Sequence, residues 1–224
     1  LATGKLRWKY KTDGEIGESS PAVSGEMVYV GDLSGWLHAV GVQDGKRRWS
    51  FKTRGEIKAS PVVSGGKVLV GSYDGSLHAV DALTGRWAWS YETEGPVHAT
   101  AGIARDLAFV SGCDGNLRAI RIADGKQEYA VELGAYTGAS PALAGDIAYF
   151  GTFDNQVLAI DLRRKSAIWE YENPRRKFPF YSSAALAGGK VVVGGRDSMV
   201  HALDAKTGKA LWTFAARARV DSSP

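Results

Sequence analysis

Apolar residues in this chain come in short runs, and each run stops at a corner rich in glycine, aspartate or asparagine. Residues 58–91 show the pattern. Lys58-Ala59-Ser60-Pro61-Val62-Val63 ends at Ser64-Gly65-Gly66, and Lys67-Val68-Leu69-Val70-Gly71 ends at Tyr73-Asp74-Gly75. Ser76-Leu77-His78-Ala79-Val80-Asp81 ends at Leu83-Thr84-Gly85, and Trp87-Ala88-Trp89-Ser90-Tyr91 closes the segment. Runs of about 4–6 residues bounded by turn formers predict four strands. Asp-Gly at 74–75 and 114–115 predicts a type I′ hairpin, which needs positive φ at both central residues. Ser34-Gly35, Asp154-Asn155 and Asp197-Ser198 occupy the same corner of their own segments. No stretch keeps a helical period, so the expected class is all-β.

The pattern repeats. Trp8, Trp49, Trp89, Tyr129, Trp169 and Trp212 are separated by 41, 40, 40, 40 and 43 residues. Gly31, Gly71, Ser111, Gly151 and Gly194 keep that step, as do His38, His78, Arg118, Leu158 and His201. Four short strands per ~40 residues is the period of a β-propeller blade, a sheet that hides its faces only against its neighbours. Complete units are expected at 19–52, 59–92, 99–132, 139–172 and 182–215, making five four-stranded antiparallel blades in one repeat domain over 1–224. Residues 6–11 read as a stray outer strand, and 219–224 as the start of an inner one.

Ala202-Leu203-Asp204-Ala205-Lys206-Thr207-Gly208-Lys209-Ala210-Leu211-Trp212 reads A-x-D-x-x-T-G-x-x-x-W, and Ala79, Asp81, Thr84, Gly85 and Trp89 match it in full. Ala39, Gly45 and Trp49 match with Gly41 and Asp44 in place of Asp and Thr. Ala119, Gly125 and Tyr129 match in part; Ala159, Asp161 and Trp169 lack the Thr-Gly; Thr3, Gly4 and Trp8 are the end of one more copy. This motif resembles the tryptophan-docking motif of the PQQ-like, quinoprotein-type β-propeller family. The resemblance implies that Trp8, Trp49, Trp89, Tyr129, Trp169 and Trp212 dock between adjacent blades. It also implies a ring of about eight blades, of which this chain, beginning at Leu1, is expected to be a fragment. WD repeats share the period, but the chain holds no Trp-Asp dipeptide.

Composition narrows the function. Twenty-eight glycines among 224 residues exceed the usual ~7%, as many tight turns require. A net charge of +4 falls short of the basic face of a dedicated nucleic-acid binder. No apolar stretch approaches the ~20 residues of a membrane-spanning helix. The dehydrogenases of the resembled family hold a quinone and a calcium ion, many beside a cysteine pair. Here Cys113 is the one cysteine, and no set of hard oxygen ligands stands out. No catalytic, cofactor or metal residue is therefore assigned. His38, His78 and His201 sit at equivalent third-strand positions, which repetition explains, and the turn aspartates follow from turn geometry.

Two departures from the repeat remain. Three residues before the Pro21, Pro61, Ala101, Pro141, Ala184, Pro224 position, one slot reads Glu18, Lys58, His98, Gly138, Tyr181 and Asp221. It is expected near one mouth of the channel. It suits a surface for a protein partner or polar ligand, and equally a solvated loop. Three extra residues lie around Asn173-Pro174-Arg175-Arg176-Lys177-Phe178-Pro179-Phe180-Tyr181, where basic groups beside aromatics suit an anionic partner, or a solvated turn with Phe178 or Phe180 tucked in. The expectation is a non-enzymatic binding or assembly scaffold, similar in kind to the family's outer-membrane assembly members. Its extracytoplasmic location is implied by the resemblance. A dehydrogenase fragment and the sensor propeller of a membrane receptor or kinase are the alternatives. The expected partner surface comprises Glu18, Lys58, His98, Tyr181, Asp221, Arg175 and Arg176.

Overall fold

The computed structural model describes residues 4–112 and 114–223; Thr3, Cys113 and Pro224 lie outside them. All regular structure in the described residues is strand. Twenty strands form five four-stranded antiparallel sheets, each in chain order. The first holds β1 (Ala22–Ser24), β2 (Met27–Gly31), β3 (Trp36–Gly41) and β4 (Arg47–Lys52). The second holds β5 (Val62–Ser64), β6 (Lys67–Gly71), β7 (Ser76–Asp81) and β8 (Trp87–Glu92). The third comprises β9 (Gly102–Ala104), β10 (Leu107–Ser111), β11 (Asn116–Arg121) and β12 (Gln127–Glu132). The fourth comprises β13 (Ala142–Ala144), β14 (Ile147–Gly151), β15 (Gln156–Asp161) and β16 (Ser166–Glu172). The last is β17 (Ala185–Ala187), β18 (Lys190–Gly195), β19 (Met199–Asp204) and β20 (Ala210–Ala215). The chain divides into two compact units, Leu1–His98 with two sheets and Ala99–Pro224 with three.

Three expectations are corrected. Residues 6–11 and the described part of 219–224 form no strand. The first strand of each sheet is three residues long and starts after the expected Ser-Pro, Thr-Ala or Ser-Ala pair, as at β5 against Lys58–Val63. Proline has no N–H to give a ladder, and the backbone N–H before it is used otherwise. Ser20 N–H donates to Ser60 Oγ at 2.9 Å, one repeat on. In the second unit, Thr100 N–H donates to Ser140 Oγ (2.9 Å), Ser140 N–H to Ser183 Oγ (3.0 Å) and Ser183 N–H to Ser223 Oγ (3.0 Å). Within each unit, a hydroxyl ladder thus links the segments that lead into the inner strands of successive sheets.

The third correction concerns the corner between the second and third strands. Asp74 does not take positive φ, while the last corner residue does at Gly35 (80°), Gly75 (85°), Gly115 (73°), Asn155 (69°) and Ser198 (64°); the Asp114 corner includes Cys113, which lies outside the described residues. In the second sheet Gly75 N–H bonds Ser72 C=O at 3.2 Å while Ser72 N–H bonds Ser76 C=O at 3.0 Å. That four-residue corner needs a single left-handed residue, so a type I′ turn is not formed.

Each unit has its own apolar core. The first packs Tyr29, Leu37, Trp49, Ile57, Val68 and Val80. The second has one cluster around Phe109, Leu117, Phe150 and Ile160, and another around Tyr149, Phe180, Val191 and Leu203. Trp49 Nε1 donates to Ala82 C=O at 3.1 Å, and its ring leaves no room for a Cβ on Gly85, whose φ is +70°. Trp8 meets Val42 C=O (2.8 Å) and Gly45 in the same way, and Trp169 meets Ala205 C=O (3.0 Å) and Gly208. Trp49 and Trp89 are 9% and 6% exposed, whereas Trp212 is 46% exposed, with no further A-x-D-x-x-T-G segment after it in the sequence. The Tyr129 ring instead carries the Lys165 ammonium 4.7 Å from its centre.

Candidate functional site

The varying slot is built from pairs. Three slot residues each meet the second corner residue of the repeat before. His98 Nδ1 lies 2.8 Å from the Tyr73 hydroxyl, Tyr181 stacks on Phe153 with centroids 4.5 Å apart, and Asp221 accepts from Arg196 Nε and Nη2 at 3.0 and 3.2 Å. The chemistry changes from repeat to repeat while the pairing stays.

In the first unit these pairs merge. His98 Nε2 is 3.2 Å from Glu18 Oε2, so slots two repeats apart in sequence meet. Lys58 Nζ sits 4.5 Å from the Tyr73 ring centre and 3.4 Å from Glu56 Oε2. Partial desolvation opposes its charge, but the Tyr73 hydroxyl and Glu56 outweigh that and hold its pKa above the usual lysine value. Glu18, Lys58, His98, Tyr73 and Glu56 form one polar cluster at one end of the sheets, with Glu18 open to solvent.

In the second unit the expected residues fall into two groups. Arg196 joins the first: its guanidinium lies 3.6 Å from the Tyr181 ring centre while it pairs with Asp221, which also meets Arg219 at 3.3 Å. Arg175 and Arg176 belong to the second. Arg176 Nη1 donates to Asp197 C=O at 3.0 Å, and Asn173 Nδ2 donates to Asp197 Oδ2 at 2.6 Å. The two arginines line a cleft with Tyr171, Pro174, Met199 and Thr213. Phe180 anchors the inserted loop, 1% exposed against Gly151, while Phe178 stays 48% exposed.

The third-strand histidines carry a polar arrangement that repetition alone concealed. His38 Nε2 lies 2.8 Å from Asp32 Oδ2, and its Nδ1 lies 3.0 Å from the Tyr10 hydroxyl. His201 repeats this with Asp197 (3.0 Å) and Tyr171 (3.1 Å). His78 has Asp74 at 2.9 Å, but Phe51 stands where those tyrosines stand, and Nδ1 meets Ser90 Oγ at 2.8 Å. Arg118 takes the histidine's place over Asp114 at 2.5 Å. Repeat four has Leu158 there, and its Asp154 remains exposed.

The charge states follow from burial and partners. Burial opposes ionisation of Asp32, yet the bonds from His38 and from the Trp36 and Gly14 amides prevail and lower its pKa. Asp74 is likewise lowered against its burial, by the Arg54 amide, His78 and the Ser76 amide. Burial pushes the His201 pKa down, opposed by Asp197. The sequence signal for these networks was a carboxylate at the first or third corner position together with His or Arg on the next strand. No group of three or more His, Cys, Asp or Glu side chains among the described residues is placed to hold a metal ion.

Comparison with known proteins adds the following. The model of the family described as outer membrane protein assembly factor BamB matches residues 1–173 and 172–224. No curated protein matches the sequence. The crystal structure of BamB from Moraxella catarrhalis superposes with a TM-score of 0.74 at 21% identity over 90% of this chain, which spans 62% of that one. The computationally designed Ika8 protein superposes with a TM-score of 0.78 at 16% identity over 91% of this chain and 64% of that one. At such identities the likeness establishes architecture, and the five sheets are β-propeller blades.

Proposed function

Because the chain belongs to the family described as outer membrane protein assembly factor BamB, we propose that it is an extracytoplasmic scaffold whose partner surface is non-enzymatic and holds protein partners through the slot residues at one end of its blades. Family membership supports a scaffold at the coarse level. The observation that carries the finer reading is the cluster of Glu18, Lys58 and His98, slot residues from successive repeats gathered at one polar surface. Acid, base and aromatic groups brought together this way offer a patterned potential to a peptide loop of complementary charge. Tyr181 and Asp221, bridged by Arg196, and Arg175 and Arg176 on the inserted loop supply further contacts.

The test replaces Lys58, His98, Asp221, Arg175 and Arg176 together by serine. Their bonds are largely at the surface, so the melting temperature should change little. Capture of the outer-membrane assembly machinery from a cell-envelope extract should fall. Undiminished capture by a variant that melts like the parent would refute this surface and move the search to the outer blade edges.

A further inference from the structure

Of the histidine networks, the one in the second sheet ends on a group that solvent reaches. Ser90 is exposed, yet its Oγ lies 2.8 Å from Nδ1 of His78, which is only 8% exposed. On the other side of the imidazole, Nε2 lies 2.9 and 3.1 Å from the two oxygens of Asp74, whose side chain is 4% exposed. Asp74 is ionised, held so by three hydrogen bonds, and an ionised carboxylate can only accept. The ring proton therefore sits on Nε2. Nδ1 is left as an acceptor, and the Ser90 hydroxyl donates to it.

A serine hydroxyl donating to a neutral imidazole that an aspartate orients is the arrangement that activates a hydroxyl nucleophile, recognised by geometry and roles rather than by sequence position. A second donor is in place. The Trp87 indole N–H donates to Ser90 Oγ at 2.9 Å, which fixes the hydroxyl's rotamer and eases the build-up of charge on Oγ as its proton leaves. The group opens on a cleft of about 310 Å³ whose walls include Phe51, Lys52, Arg54, Trp87 and Glu92. Trp87 is itself a departure from the repeat, since Arg47, Gln127, Ala167 and Ala210 hold the equivalent position.

The first sheet supplies the contrast. Ser50 pairs across the strands with His38 as Ser90 pairs with His78. There, however, Nδ1 is taken by the Tyr10 hydroxyl and the ring is fully buried. Phenylalanine at position 51 removes the competing hydroxyl, and His78 is left to Ser90.

We propose that Ser90 is a base-activated nucleophile that accepts an acyl group from small carboxylic esters bound in this cleft. Its Oγ forms the bond to the acyl carbon as its proton passes to His78 Nδ1. The bond to the leaving oxygen then breaks, and that oxygen takes the proton from His78. Water, activated by the same ring, attacks the acyl-serine, forms the free acid and restores Ser90. This chemistry stands apart from the scaffold role, which uses other side chains.

The whole chain would be incubated with p-nitrophenyl acetate and, separately, with a fluorophosphonate. Adducts would be located by peptide mass spectrometry and p-nitrophenol release followed against pH. One acetyl or phosphonyl adduct is expected, on Ser90 and not on Ser50. Labelling should disappear in Ser90→Ala, fall about 100-fold in His78→Gln as a general base is lost, and persist in Ser50→Ala. Should His78→Gln fail to fold, Asp74→Asn serves instead, because it favours the wrong tautomer and should slow labelling strongly. No adduct on Ser90, adducts on lysines alone, or Ser90 labelling indifferent to His78 and Asp74 would each overturn the proposal.

Discussion

The first and second repeats share a frame but place their carboxylate at different corner positions and differ by a hydroxyl on the preceding outer segment. Both place a histidine on the third strand over a corner carboxylate, with Asp32 in one and Asp74 in the other. Tyr10 closes the first network inside the protein, whereas Phe51 leaves the second to close on surface Ser90. The pair His38 and Asp32 is wholly buried; His78 and Asp74 keep 10% and 4% of their side chains exposed. The lesson is that a repeat can keep its backbone and still turn a structural network outward by a few side-chain changes around one histidine.

This comparison can be pressed in order of expected effect. His38→Ala strands the buried Asp32 carboxylate and should cost roughly 3–5 kcal/mol in urea melts. His78→Ala should cost clearly less, because water can reach its site; equal costs would erase the distinction between the repeats. The tryptophan frame provides the reference. Trp89→Ala should cost about 3–5 kcal/mol through the cavity it leaves. Tyr129→Ala should cost less, since Tyr129 is only partly buried. Denaturant melts that rank Tyr129 above Trp89 would break the docking account.

A hydroxyl exchange is a finer instrument. Tyr10→Phe should cost about 0.5–1.5 kcal/mol, the usual net worth of a hydrogen bond. Phe51→Tyr should instead draw His78 away from Ser90, seen as a changed imidazole nitrogen shift in NMR spectra. An unchanged shift would mean that position 51 does not steer the ring.

Acid offers the smallest effect. Burial places the folded His201 pKa below its unfolded value of ~6.5. Below ~6.5 the unfolded chain binds the proton first, so stability falls as pH drops toward the folded pKa and is flat above that window. Asp32 and Asp74 act lower on the scale. Their depressed values give stability that is complete above ~3.9 and lost as pH falls through the folded values. His201→Gln should flatten the upper window alone, as read from melting temperature against pH. An unaltered slope would remove His201 from the account.

The blades were legible in the sequence because their cause is periodic. Every repeat meets the same packing demand, so Trp49, Ala39 and Gly85 announce themselves by spacing. The polar networks were not, because their parts come from different strands and corners, and those of His38 and His201 draw on two repeats. Tyr171 sits on one sheet and His201 on the next, and the carboxylate comes from either of two corner positions, as Asp32 and Asp197 show. Each aspartate taken alone looks like a turn residue. The slot was visible as a departure, but its partners Tyr73, Phe153 and Arg196 lie about 25 residues upstream with no motif to mark them.

The seryl ladder bears on how such a chain is copied. Each rung takes its donor from one repeat and its acceptor from the next, always in the same sense. A unit bounded this way has a head and a tail, like a monomer in a directional polymer. In-frame duplication or excision of a whole repeat rejoins head to tail and leaves no backbone amide stranded. The three extra residues before Ser183 fall outside the joint, and the Ser140 rung survives them at 3.0 Å. Exchange of whole repeats thus keeps every such rung supplied with a donor and an acceptor, and the one lengthened unit carries its extra residues in the loop that precedes the rung.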